Sequence, residues 1–318
     1  MSKSSAVRVS DAVLGAFAHV PPSPTVDHLV RLLSTWGGSD KFFALVQYTL
    51  KLLVPLLHLR ARLQHRAGMS KSNTSGVAVR AGKLASTIGD ARRLWSFWGI
   101  LPIFQWLISL ERTPQPTKRL HNIERLQGWS MLGFFPLEQL SYLISKDVVP
   151  ATLPAPASLL PFASTSSKLA DSKLTKPIEV DVNRLGMLSC RFWAAYVLLQ
   201  FAHMEEDRKL LVMKHKAYKR AGMSAAQKRE LRASWDALFN QFVANLGYLP
   251  MTIHYSLEKG LFKNDTWVTF FGWVAAVAQF YSAWKATALP SAKDASLPEE
   301  APMDPEPLAT ADVPTEKA

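Results

Sequence analysis

Eighteen consecutive residues, Trp267 to Trp284, carry no formal charge, and Gln279 is the one strongly polar side chain among them. A helix rises 1.5 Å per residue, so this run reaches about 27 Å, close to the hydrocarbon thickness of a thin bilayer. Trp267, Tyr281 and Trp284 stand near its ends, where aromatic belts lie at membrane surfaces. The alternative is a helix buried in a protein core. With no strand-rich region and no internal repeat elsewhere, the reading is an all-α membrane protein with amphipathic helices, a C-terminal hydrophobic helix and disordered tails.

Charge is divided unevenly along the chain. The net charge is +12, yet residues 286–318 hold seven acidic residues against Lys293 and Lys317, leaving about +17 on the rest. The body is also rich in Trp and Phe, with 10 and 16 of them. A basic, Trp-rich body suits nucleic acid or an anionic membrane surface. Long apolar stretches and the lack of any nucleic-acid-binding module favour the membrane and exclude the nucleic acid. The lone Cys190 excludes an internal disulfide framework and fits a reducing surrounding. The start of the chain has no signal-peptide pattern: Asp11 and His19 interrupt its mildly apolar residues.

The pattern divides the chain into five parts. Residues 1–25 read as a disordered tail and 26–145 as an N-terminal helical half. Residues 146–180 read as a Pro/Ser-rich linker, 181–285 as a C-terminal helical half, and 286–318 as an acidic disordered tail. In the first half a short helix from Val26 to Thr35 breaks at Gly37-Gly38, and Ser39 or Asp40 caps the next. That helix carries Phe43, Val46, Leu50, Leu53 and Leu57 at helical spacing, with Pro55 kinking it. A polar break at 66–76 precedes residues 77–98, whose Val77, Ala81, Leu84, Ile88, Ala91 and Trp95 share one arc. Arg80 and Arg92 flank that arc and Lys83 and Arg93 lie opposite, so the segment suits either a bilayer interface or a core-facing packing. Apolar stretches at 95–110 and 129–144 are short for spans. After the linker, apolar Leu185–Ala202 leads to a charged helix, Glu205 to Arg220. Ser224 and Gln227 form a capping box for a helix presenting Leu231, Trp235, Leu238, Phe239, Phe242 and Leu246.

No constellation reaches the level of an active site. His203-Met204-Glu205-Glu206-Asp207 lacks the second His of a zinc protease motif, and His58 and His65 have no carboxylate or thiol nearby. No catalytic residue, metal site or cofactor is expected.

Several segments together resemble the peroxin-11 family of peroxisome proliferation proteins. Gly38-Ser39-Asp40-Lys41 with Gln47-Tyr48 is similar to the family's signature, with Ser39 in place of its usual Arg. Residues 77–98, with Arg92-Arg93-Leu94-Trp95, occupy the place of its membrane-remodelling helix. Trp235-Asp236-Ala237, Asn245-Leu246-Gly247-Tyr248-Leu249 and Trp284-Lys285 resemble its C-terminal half. The linker and acidic extension suggest a divergent fungal-type member. The resemblance implies an integral protein of the peroxisomal membrane with cytosolic termini. It would elongate the organelle through an amphipathic helix and promote fission, and it would not be an enzyme. The partners implied are anionic phospholipid, further copies of the chain, dynamin-type fission machinery and the import receptor for peroxisomal membrane proteins. A channel for small metabolites is the alternative. The chain's last residues, Glu316-Lys317-Ala318, are not a peroxisomal matrix signal. Under this reading Arg80, Lys83, Leu84, Ile88, Arg92, Arg93 and Trp95 contact the membrane.

Overall fold

A computed structural model describes residues 15–16, 20–153 and 178–289. Most of the linker, the acidic tail and the N-terminal tail, all expected to be irregular, lie outside these residues. The described chain is helical: α1 (Pro24–Leu33), α2 (Trp36–Arg66), α3 (Gly76–Trp95), a 3-10 turn (Ser96–Gly99), α4 (Ile100–Arg112), α5 (Lys118–Ser145), α6 (Val182–Ala221), α7 (Ala225–Ser256) and α8 (Asp265–Ala286). Between α5 and α6, β1 (Thr152–Leu153) and β2 (Ile178–Glu179) pair antiparallel, Thr152 opposite Glu179, and bring the two ends of the linker together.

The boundary between α1 and α2 differs from the expectation. The break falls at Ser34-Thr35, and Gly37-Gly38 sit inside the first turn of α2. Thr35 is the cap, its Oγ1 accepting from the Gly38 amide at 3.1 Å, while Ser39 donates back to the Leu33 carbonyl. A Cβ on Gly38 would lie 2.0 Å from the Leu32 carbonyl oxygen. Glycine here permits a tight corner and does not break a helix. Downstream, Pro55 and Pro136 lie inside continuous helices. The apolar and charged segments expected at 185–202 and 205–220 form one helix of 40 residues. The capping box at Ser224 and Gln227 is present as expected.

The helices form an open ring in the order α3, α2, α8, α7, α6, α5, with α4 folded back along α5. The ring is drawn toward closure by polar contacts from α5 to the α3 end. Gln139 donates to the Arg93 carbonyl and Ser96, and Lys146 pairs with Asp90 at 2.9 Å. Register then sets how far each helix overhangs. On α2, Phe42 meets Phe280 and Thr49 meets Trp273, so α2 passes the start of α8 near residue 56. Its last turns pack only on the first half of α3, where Val54 is near Gly82. At the other end Lys285 of α8 meets Asp236 of α7, and Lys214 meets Glu230 beyond it. Each end of the bundle therefore carries one overhanging helical hairpin.

The packing is inside-out by the standards of a water-soluble domain. Among the described residues nine of the twenty buried apolar residues are Ala, and Gln47, Gln127, Gln139, Gln200, Asn245 and Thr252 are buried among them. Many large apolar side chains face outward, Leu56, Phe104, Trp129, Leu198, Phe239, Leu246, Trp267 and Phe270 included. Small residues inside and large ones outside are the pattern of helices that associate in lipid, where close backbone approach replaces the hydrophobic driving force. The apolar face expected on α7 is divided: Leu231 is buried and Trp235 and Leu238 are half-buried, whereas Phe239, Phe242 and Leu246 are exposed. Two helices are long and apolar enough to cross a membrane, α2 and α6, and only 11% and 17% of their most apolar stretches are buried. The helix expected to span, 267–284, forms as α8 but is not one of those two, since its Trp, Tyr, Ser and Gln content lowers its mean hydropathy.

Candidate membrane interface

The amphipathic segment folds as α3, and the bundle divides its residues into two sets. Ala78 and Ala85 are buried against α2, and Gly82 and Gly89 lie beside Val54 and Gln47. Arg80, Lys83, Leu84 and Trp95 are exposed, with Leu84 at 52% and Trp95 at 45%. Ile88 is half-buried. Arg92 points into the bundle, away from any headgroup. Its Nε and second Nη donate to the two carboxylate oxygens of Asp40 at 2.8 and 3.2 Å, and its other Nη donates to Gln47 at 2.8 Å. Such a two-pronged charge-assisted pair is among the stronger contacts available to a side chain. Arg93, the next residue, is exposed and turns toward α5.

The motif residues scattered along the sequence meet through the same bundle. Asp40 and Gln47 hold Arg92, and the neighbouring Tyr48 ring lies where any side chain on Gly272 would have to go, 2.4 Å from the added Cβ. Lys41 is half-buried and outside this network. From the second half, Tyr248 packs edge-on to Trp193 at 5.6 Å, and Asn245 donates to the Gln241 carbonyl, whose side chain reaches Gln200. Gly247 lets α7 and α8 touch: a Cβ there would stand 2.6 Å from the Phe271 carbonyl oxygen and 2.9 Å from the Ala275 nitrogen. Trp235 is half-buried one residue before Asp236, which takes Lys285 at 3.1 Å. Trp284 lies on His28 with ring centres 3.7 Å apart, so the motif's last residue pins α1 to the end of α8. These residues hold helices together.

Residues 26–160 match the model of the family described as Peroxisomal biogenesis factor 11 (PEX11). Over that segment, 135 of its 318 residues, the chain is similar to the peroxin-11 family. No curated protein and no solved structure matches. That family is one of peroxisome biogenesis factors, with a general role in proliferation and fission of the peroxisomal membrane, and is not a known enzyme family. The matched segment covers α1 to α5 and stops before α6, α7 and α8, against which its motif residues pack.

The hairpin at the tip of α2 and α3 brings together exposed apolar and basic residues that the helical wheel of residues 77–98 does not show. Leu53, Leu56, Leu59, Leu63, Met69, Val77, Val79 and Leu84 are all exposed on it. Between residues 41 and 89 stand eight Lys or Arg and no Asp or Glu. The signal was legible as that acid-free run. Periodicity within 77–98 alone does not carry it, because half of the exposed apolar residues stand on the helix before.

Proposed function

We propose that this chain remodels the peroxisomal membrane through the α2–α3 hairpin, with the rest of the bundle embedded in the bilayer as its anchor. The observation that carries the reading is the coincidence, on one overhanging hairpin, of eight exposed large apolar side chains with a basic run free of acid. Each basic residue near an anionic surface contributes on the order of 1 kcal/mol, and each apolar side chain moved out of water about 1.5–3 kcal/mol. Insertion of the hairpin expands one leaflet and favours curvature. Self-association and recruitment of dynamin-type fission machinery are the further steps that the resemblance supplies. A metabolite channel has less support, because the polar side chains inside the ring bond to one another: Arg92 to Asp40 and Gln47, and Gln241 to Gln200.

Tubulation of anionic vesicles by the full-length protein tests this. Leu84→Glu leaves the packed face of α3 intact and should abolish tubulation. Ile88→Glu is the poorer test, since Ile88 is half-buried and its loss also disturbs packing. In cells, the Leu84→Glu protein should stay in the membrane pellet after alkaline carbonate extraction while peroxisomes become few and enlarged. Normal peroxisome number with that variant would sink the proposal.

A further inference from the structure

A cavity of about 790 Å³ opens where the end of α3, the last turns of α5, the first turns of α6 and the end of α7 meet. Arg93, Glu138, Tyr142, Arg184, Cys190 and Tyr255 are among its walls. Arg184 is already engaged, with its Nε 3.3 Å from the carboxylate of Asp181, which also caps α6. Arg93 and Glu138 are different. Among the described residues neither side chain has a hydrogen-bond or ion-pair partner, although both line the same space.

A guanidinium and a carboxyl that share a cavity, close enough to feel each other's charge but not hydrogen-bonded, are complementary to a molecule carrying both charges a few bonds apart. Charged groups left without partners in a partly enclosed space are costly unless something pairs them. The volume suits a small polar head with the first carbons of an attached chain, and Met187 and Leu257 supply apolar wall. Depth points the same way. α5 ends at Ser145, α6 begins at Val182 and α7 ends at Ser256, so the cavity lies at the level where the helices of the bundle terminate. In an embedded bundle that is headgroup level.

We infer that this cavity binds the phosphoethanolamine headgroup of a phospholipid, the phosphate on Arg93 and the ammonium on Glu138. The inference rests on the embedded reading only for the source of the headgroup; a free zwitterion of the same chemistry would fit the same pair.

Cys190 makes the site readable, because it is the chain's single thiol and lines the cavity. The full-length protein is placed in nanodiscs of phosphatidylglycerol alone or of phosphatidylglycerol with phosphatidylethanolamine, and maleimide alkylation of Cys190 is timed. Both lipids carry phosphate, and only the second adds an ammonium. Alkylation should be about tenfold slower with phosphatidylethanolamine, the factor expected of one charged hydrogen bond. Glu138→Gln and Arg93→Gln should each remove that difference while circular dichroism stays unchanged. The wild-type comparison stands by itself if a variant fails to fold. In detergent, protection by soluble phosphoethanolamine would assign the site to a free zwitterion and keep its chemistry. Equal rates in the two nanodiscs with no effect of soluble phosphoethanolamine would overturn the inference, as would protection that survives both substitutions. Carbonate extraction reports the embedded reading separately, so the two failures are distinguishable.

Discussion

The loop between α2 and α3 and the loop between α6 and α7 cap hairpins at opposite ends of one bundle, and their surfaces have little in common. The first hairpin exposes eight large apolar side chains from Leu53 to Leu84, whereas residues 205–234 of the second expose one, Met213. The first has no acid between residues 41 and 89; the second mixes Glu205, Glu206, Asp207 and Glu230 with nine Lys or Arg. The second is braced by ion pairs, Lys214 with Glu230, Arg208 with Glu205 at 2.9 Å and Lys209 with Glu206 at 2.9 Å. Identical topology thus supports two surfaces, one suited to lipid and one to water. A bundle that spans the membrane also puts the hairpins on opposite sides. α1 and the end of α8 are joined through His28 and Trp284 at the α6–α7 end, so both termini of the described chain share the second hairpin's side.

The sharpest way to break this comparison is to put charge on both tips. Leu59→Glu with Leu63→Glu removes two exposed Leu from the first hairpin, at about 3–6 kcal/mol of membrane affinity. Tubulation of anionic vesicles should be lost while the protein still co-sediments with them through its embedded bundle. Met213→Glu in the second hairpin should leave tubulation unchanged. Equal losses from both would show that the hairpins contact lipid alike.

A smaller effect separates the ways the two hairpins are rooted. Asp40→Ala leaves Arg92 without its carboxylate in a partly buried position, where side-chain exposures of 23% and 33% reduce the cost below that of a fully buried pair. Stability should drop by about 2 kcal/mol, read as a lower Tm and as faster amide exchange along α3. Asp40→Asn should recover part of it, because one acceptor remains for the guanidinium.

Much of this was legible in the sequence, and what was not has a physical cause. Helix existence followed from apolar spacing, and the Ser224 box from two residues. The Gly37-Gly38 break failed because glycine serves a tight approach as readily as a helix end, and sequence alone does not say which. Arg92 was placed at a headgroup because a helical wheel shows which side a residue is on and not which side meets lipid. Only the register with Asp40, 52 positions away, turns that side inward. The apolar face of α7 left the same question open, because an apolar stripe points to the core in water and away from it in a bilayer.

Single charges sharpen the contrast further. Arg62→Gln on the first hairpin should raise the protein concentration needed to tubulate anionic vesicles about fivefold at low salt, on the order of 1 kcal/mol of hairpin binding. The increase should shrink as salt rises, because exposed charges are screened within about 10 Å at 0.1 M. Lys219→Gln on the second hairpin should change that concentration little at any salt. A salt-independent increase at Arg62 would mean that it packs instead of meeting lipid.

The smallest effect expected is acid sensitivity, and it belongs to the second hairpin. Its brace is the Glu230 carboxylate, which the hydrogen-bonded Lys214 ammonium holds below the usual carboxylate range. A carboxyl whose folded value is depressed adds stability above its unfolded value, and that stability is lost as pH falls through the folded one. The window therefore lies below the ordinary Glu value of 4.5. Both partners are well exposed, so the pair contributes at most about 0.5–1 kcal/mol. Amide exchange in residues 208–234 should accelerate up to about fivefold between pH 5 and pH 3 once the intrinsic rate is divided out, and Glu230→Gln should remove that pH dependence. Residues 41–89 hold no carboxylate to titrate over the same window. The α2–α3 tip should lose no local protection there, and a matching loss at both tips would mean that the whole bundle, rather than one ion-paired hairpin, opens in acid.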